Sequence, residues 1–153
     1  MAEKMILDQA VVDNPYTIRD SGDEPAPDAF TAIPLGDWLA AVEGDDTLSA
    51  GVVVEPGDAL AGIASRLGQA ACIAVHFPRF TDGRAYSHAR RLRKNFAYEG
   101  PIVAYGDVLR DQLMHMHRCG INGLILREDQ DVEAALDAFK RFAVYYQDAS
   151  FPR

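Results

Sequence analysis

Histidine, arginine and aspartate residues cluster in one short stretch near the middle of the chain. His76 is followed by Arg79 and Arg84, and Asp82 lies between the two arginines. A histidine with a carboxylate suits general acid–base chemistry near neutral pH, and arginine forks bind phosphate- or sulfate-like oxyanions. These residue types predict His76 and Asp82 as candidate catalytic groups, and Arg79 and Arg84 as anion- or partner-binding groups.

This stretch also stands where ligands commonly bind in α/β proteins. Segment 76–87 begins at the carboxyl end of a predicted strand and runs into the start of a predicted helix. Ligands bind at that edge of a sheet, and the free N–H groups of a helix start favour anions. Tyr86 and Ser87 would add hydroxyl groups, and Arg110, at the next strand-to-helix junction, would lie at the same edge. In the structural alternative, Asp82 caps the helix and the arginines pair with nearby acids.

No motif in the sequence identifies a cofactor. Cys72 and Cys119 lack Cys-x-x-Cys spacing, and His115 and His117 would point to different sides of a helix, so no metal or iron–sulfur site is predicted. Glycine-rich nucleotide loops and the hydrolase nucleophile motif are missing. A flavin site stays open, because flavodoxin-like sheets bind flavin at their strand ends.

Charge is distributed unevenly along the chain. The 153 residues carry a net charge of −8, which argues against nucleic acid or an anionic membrane as a bulk partner. Residues 1–58 contain 13 acids and two bases, whereas residues 76–118 contain eight bases, four acids and all four histidines. The acidic first third therefore masks a basic centre. Without a signal-peptide pattern or an apolar run of about 18 residues, the sequence predicts a soluble cytoplasmic protein.

Hydrophobic runs alternate with helix-period segments from residue 30 onward. Residues 4–12 predict a small hairpin, and the domain boundaries are 1–29 for this hairpin with an acidic, proline-containing arm, and 30–153 for an α/β domain. The predicted strands are Phe30–Leu35, Gly51–Glu55, Ala71–Phe77, Pro101–Tyr105 and Ile121–Leu126. The predicted helices are 36–43, 57–68, 84–97, 107–118 and 131–146.

Continuous apolar runs favour strands that are covered on both faces. We therefore expect one mostly parallel sheet of about five strands with helices on both faces. Either a flavodoxin-like sheet or a partial barrel of β-α repeats fits, and the open flavodoxin-like form is preferred. The aspartates expected to cap helices are Asp58, Asp82, Asp107 and Asp131.

Three longer segments carry a family resemblance. The stretch 77–93, from Phe77-Pro78-Arg79 to Leu92-Arg93, resembles the bacterial family catalogued as domain of unknown function 934, as do segments 106–120 and 135–147. The similarity extends over residues 30–147, with a weaker match at the hairpin, where the family often has Asp-Gly. Members of this family are typically encoded beside assimilatory sulfite reductase and are often labelled oxidoreductases of sulfite reduction. The resemblance therefore implies a role in this pathway.

These observations lead to a functional hypothesis and two alternatives. The resemblance implies an accessory protein of assimilatory sulfate and sulfite reduction, whose partner would be sulfite reductase, its electron donor or a small oxyanion. One alternative is an independent oxidoreductase or hydrolase acting on a sulfur- or phosphate-containing substrate, with His76 and Asp82 as acid–base groups. The other is a non-catalytic module that forms homo-oligomers.

Overall fold

The computed structural model describes residues 3–19, 28–44, 49–61 and 64–145. Residues 20–27 of the predicted acidic arm lie outside this range. The strands are β1 Lys4–Leu7, β2 Ala10–Asp13, β3 Thr17–Ile18, β4 Thr31–Pro34, β5 Gly51–Val54, β6 Ile73–Phe77, β7 Ile102–Gly106 and β8 Gly123–Leu124. The helices are α1 Leu35–Gly44, α2 Ala64–Leu67, α3 Gly83–Lys94, α4 Leu113–Arg118 and α5 Val132–Tyr145, with a 3-10 turn at Arg110–Gln112.

All eight strands belong to one mixed sheet in the order β2-β1-β8-β7-β6-β5-β4-β3. Strands β3 to β8 run parallel, and β1 is antiparallel to both β2 and β8. The sheet is therefore mixed and larger than the mostly parallel sheet of about five strands that the sequence predicts. The N-terminal hairpin extends the sheet at one edge, and the two-residue strand β3, too short to leave a hydrophobic run, extends the other.

The sheet is curled, and all the packed helices lie on its outer face. Met5 on β1 and Ala32 on β4 belong to one buried cluster although five steps of the strand order separate them. Buried residues of all five helices belong to the other cluster, among them Trp38, Leu67 and Leu92. The expectation of helices on both faces is wrong, because consecutive strand order with same-handed crossovers places every helix on one side. This order is that of the partial barrel, not of the preferred flavodoxin-like sheet.

Side-chain size differs between the two faces of the strands. The inner cluster takes mainly small residues from the central strands, such as Ala32, Val53 and Ala74, whereas the outer cluster takes Ile33, Ile73 and other large residues. Small inward side chains let the sheet curl, and large outward ones fill the space beneath the helices. Because both faces are covered, the strands appear in the sequence as continuous apolar runs.

Two of the four predicted helix caps are present. Asp82 accepts a hydrogen bond from the backbone N–H of Arg84 at the start of α3, and Asp131 accepts one from Ala134 at the start of α5. The other two predictions are wrong. Asp58 caps a turn by accepting from the N–H of Glu55, and the helix predicted over 57–68 is confined to Ala64–Leu67 among the described residues. Asp107 accepts a hydrogen bond from the N–H of Phe80 in a neighbouring loop, and α4 begins only at Leu113.

Candidate functional site

A cavity of about 330 Å³ opens at the carboxyl ends of the parallel strands. Its polar wall combines Arg19, just after β3, with Glu55 and Asp58, which follow β5, and with Tyr105 near the end of β7. Apolar side chains form the remainder: Ile18, Pro34, Leu35 and Val53. We call this the strand-end cavity. Its position corresponds to the face of β/α barrels on which ligand sites are built.

His76, a predicted catalytic residue, lies on β6 and contacts two residues that line this cavity, Glu55 and Tyr105. Its Nδ1 atom is 2.6 Å from Oε2 of Glu55, and its ring stacks on Tyr105 with centroids 4.7 Å apart and planes 13° apart. The stack arises because His76 and Tyr105 are paired across β6 and β7. Since a carboxylate only accepts hydrogen bonds, Nδ1 carries the proton that is donated to Glu55.

Asp82, the other predicted catalytic residue, pairs with Arg84 and not with His76. Nη2 of Arg84 lies 2.9 Å from Oδ2 of Asp82, and Nε lies 3.1 Å from Oδ1. The hydrogen bond from Arg84 is the main cause that lowers the pKa of the Asp82 carboxyl below its ordinary value. Together with the helix cap, this geometry matches the structural alternative for both residues. The charge of Arg84 is thus compensated locally.

Arg79 and Arg110 have exposed side chains that form no ion pair within the described part of the chain. They follow β6 and β7, which are neighbours in the sheet. The two loops are tied together, because Asp107 accepts a hydrogen bond of 2.9 Å from the N–H of Phe80 and pairs with Arg127 at 2.8 Å. Two uncompensated arginines therefore stand on adjacent, linked loops at the carboxyl edge.

Gly106 shapes the second of these loops. Its φ of 100° is rarely adopted by L side chains, and a Cβ at this position would lie 2.5 Å from the carbonyl oxygen of Phe77. The glycine allows the N–H of Asp107 to donate to that same carbonyl at 2.7 Å. This close approach places the Asp107 carboxylate between the loops.

Tyr86 and Ser87 are engaged in the helix and the core. Tyr86 is only 7% exposed; it packs edge-on against Phe77 and at a tilt of 45° against the ring of His115. Burial raises the pKa of its hydroxyl to about 12. The hydroxyl of Ser87 donates to the carbonyl of Gly83 one turn back. The structure therefore does not bring these two hydroxyls together with Arg79 and Arg110.

Sequence reasoning did not find Glu55, Asp58 or Arg19 as site residues. The sequence predicts Glu55 as the end of a strand, Asp58 as a helix cap and Arg19 as part of the arm. A usable signal was present for Glu55, since a carboxylate directly after a buried parallel strand lies at the ligand-binding edge. No comparable sequence pattern predicts that β3 and β5 meet at one cavity, so the sequence does not indicate Arg19 as a site residue.

The described residues contain neither a metal-ligand cluster nor a membrane-spanning helix. No group of three histidine, cysteine or carboxylate side chains is arranged to hold a metal ion there. The two cysteines are buried free thiols, and burial raises the pKa of Cys72 to about 12. Among the helices described, none is sufficiently long and apolar to cross a membrane.

The fold and the site together define a single-domain α/β protein with a curled eight-stranded sheet and a polar cavity at its strand ends. The family model described as "Bacterial protein of unknown function (DUF934)" matches residues 51–152, and the chain belongs to this family. The matched region includes Glu55, His76, Arg79 and Arg110, whereas Arg19 precedes it. Neither a search of curated proteins nor a search of solved structures found a match.

Proposed function

We propose that this protein is an accessory protein of assimilatory sulfite reduction that acts through the carboxyl edge of its sheet. The family resemblance supports the metabolic setting. The observation that carries the choice of surface is the pair Arg79 and Arg110, which lie exposed on adjacent loops and form no ion pair with any residue that the structure describes. An arginine pair of this kind suits a small oxyanion or an acidic surface of the sulfite reductase system.

The neighbouring charges help to define this surface. Arg84 is compensated by Asp82, and Arg127 by Asp107 and Asp129, so these arginines stabilise the loops instead of attracting an anion. The bond from Asp107 to the Phe80 N–H also restrains the loop that carries Arg79. A restrained loop loses less conformational entropy when a partner binds.

The test is co-purification from cells grown with sulfate as the sulfur source. The wild-type protein is expected to retain sulfite reductase or its electron donor, and the Arg79→Glu/Arg110→Glu double variant is expected to lose it by roughly tenfold or more, because two attractive charges become repulsive. Arg66→Glu is the matched control, since Arg66 is an exposed arginine that pairs with Glu43 on α1. Equal recovery with the double variant and the wild type would contradict the proposal.

A thermal-shift titration separates the two ligand classes. Sulfite, sulfate and phosphate are expected to raise the melting temperature of the wild type but not of the double variant if the ligand is an oxyanion. Stabilisation that is unchanged in the double variant would show that the arginine pair is not the anion site. This comparison needs no partner protein.

A further inference from the structure

Glu55 and Tyr105 hold His76 in one orientation, and this arrangement has no part in the role proposed for Arg79 and Arg110. The Nδ1–Oε2 distance of 2.6 Å fixes the ring orientation, and stacking on Tyr105 holds the ring plane. A neutral histidine that donates through Nδ1 presents an unprotonated Nε2 atom. Nε2 has no hydrogen-bond partner within the described part of the chain, and 28% of the His76 side chain is exposed.

These groups come together because their strands are neighbours in the sheet. Glu55, His76 and Tyr105 stand at the ends of three consecutive strands, β5, β6 and β7. Glu55 and Tyr105 both line the strand-end cavity, and both contact His76. A base held by a carboxylate beside a small cavity is the arrangement that proton-transfer sites require.

We propose that the strand-end cavity is a proton-transfer site, with His76 as the general base through Nε2 and Glu55 as its positioning residue. In the step, a proton leaves an O–H, N–H, S–H or acidic C–H group of the bound substrate and bonds to Nε2, while the bonding electron pair stays with the substrate. The resulting imidazolium is stabilised by the Glu55 carboxylate through the Nδ1–H bond. Nothing is oxidised or reduced.

The charges of the cavity indicate the class of substrate. Glu55 and Asp58 place two carboxylates in its wall against the single guanidinium of Arg19, and four apolar side chains line the rest. The substrate is therefore a small neutral or cationic molecule with an apolar portion, which distinguishes it from the oxyanion proposed for Arg79 and Arg110. The inference does not depend on the proposed role in sulfite reduction.

The tautomer of His76 gives the first test. In spectra of the ¹⁵N-histidine-labelled protein above pH 7, His76 is expected to be protonated on Nδ1. Glu55→Gln is expected to shift the population toward the Nε2–H form, because the amide no longer requires a donor, with the melting temperature retained. Glu43→Gln, at the exposed carboxylate of the Arg66 pair, serves as the control and is expected to leave the spectrum unchanged. An Nε2–H tautomer in the wild type would overturn the proposal.

The second test uses 5-nitrobenzisoxazole, a neutral probe whose ring opening needs only a base. Removal of its C3 proton forms the nitrile and breaks the N–O bond, which releases a coloured phenolate. The wild type is expected to open the ring roughly tenfold or more faster than His76→Gln. Glu55→Gln is expected to lower kcat while changing KM less. His117→Gln, which changes a ring packed on Phe139 of α5, is the control that retains the wild-type rate. Equal rates for the wild type and His76→Gln would refute the assignment.

Competition between ligands of matched size tests the substrate class. Benzylamine is expected to inhibit the probe reaction with a constant roughly threefold or more lower than that of benzoate, because the carboxylates attract a cation and repel an anion. Stronger inhibition by benzoate would overturn the charge assignment. Replacing Arg79 and Arg110 should leave the inhibition constants of both compounds unchanged, so this outcome is independent of the oxyanion experiments.

Discussion

Arg93 donates hydrogen bonds to the backbone carbonyls of Tyr98, Gly100 and Gly120, and it also contacts the side chain of Asn122. These bonds tie the end of α3 to the start of β7 and to the loop before β8. Burial lowers the pKa of the guanidinium, which nevertheless stays charged. Arg93 belongs to the family-like stretch, and its contacts assign it a structural role.

Replacing Arg93 should therefore affect stability and not ligand binding. Arg93→Met leaves three carbonyls without their donor and is expected to lower the free energy of unfolding by about 1–3 kcal/mol in urea denaturation. Lys94→Met, at the exposed neighbouring position, should change it by less than about 0.5 kcal/mol. A variant at Arg93 with wild-type stability would show that water replaces the guanidinium without cost.

At the scale of the elements, Asp82 makes the start of α3 sensitive to pH. Arg84 lowers the pKa of Asp82 in the folded protein below its ordinary value of 3.8. The ionised carboxylate thus stabilises the fold above that value, and this contribution is lost as the pH falls toward the lower, folded pKa. Asp82→Asn retains a capping side chain but cannot titrate.

The Asn variant is accordingly expected to show a shallower loss of stability than the wild type between about pH 4 and pH 2, while Asp82→Ala lowers the melting temperature at pH 7. Asp137→Asn, at an exposed position on α5, is the control for losing one negative charge. If Asp82→Asn followed the wild-type pH curve, the pairing with Arg84 would carry no stability.

The turn between β1 and β2 places two non-glycine residues in left-handed backbone conformations. Asp8 and Gln9 have φ values of 50° and 65°, a left-handed turn in which glycine is favoured at the second position. Gln9→Gly is expected to raise the free energy of unfolding by about 0.5–1 kcal/mol. Ala10→Gly, in the extended backbone of β2, should lower it instead. A destabilising Gln9→Gly would mean that the Gln9 side chain contributes contacts that outweigh the turn strain.

At the scale of the whole molecule, local patterns predicted elements well and their arrangement poorly. The run Gly51–Glu55 and the stripe that includes Ala85, Ala89 and Leu92 gave β5 and α3, because burial of one face or of both leaves a periodic signal. Strand order is set by pairings between residues distant in sequence, such as Ile6 with Leu124, and leaves no local signal. For the same reason the sequence indicates His76 as a candidate but not Glu55, its partner at the end of the neighbouring strand.

We propose that the carboxyl edge of the sheet is the surface through which the protein acts in sulfite assimilation, and growth on sulfate tests this proposal most directly. In a deletion strain of the source organism, the wild-type gene and the Arg66→Glu variant are expected to restore growth on sulfate, whereas the Arg79→Glu/Arg110→Glu variant is not expected to restore it. Cysteine or sulfide should rescue every strain equally. Unimpaired growth of the deletion strain on sulfate would contradict the role in sulfite reduction, and full complementation by the double variant would contradict the surface.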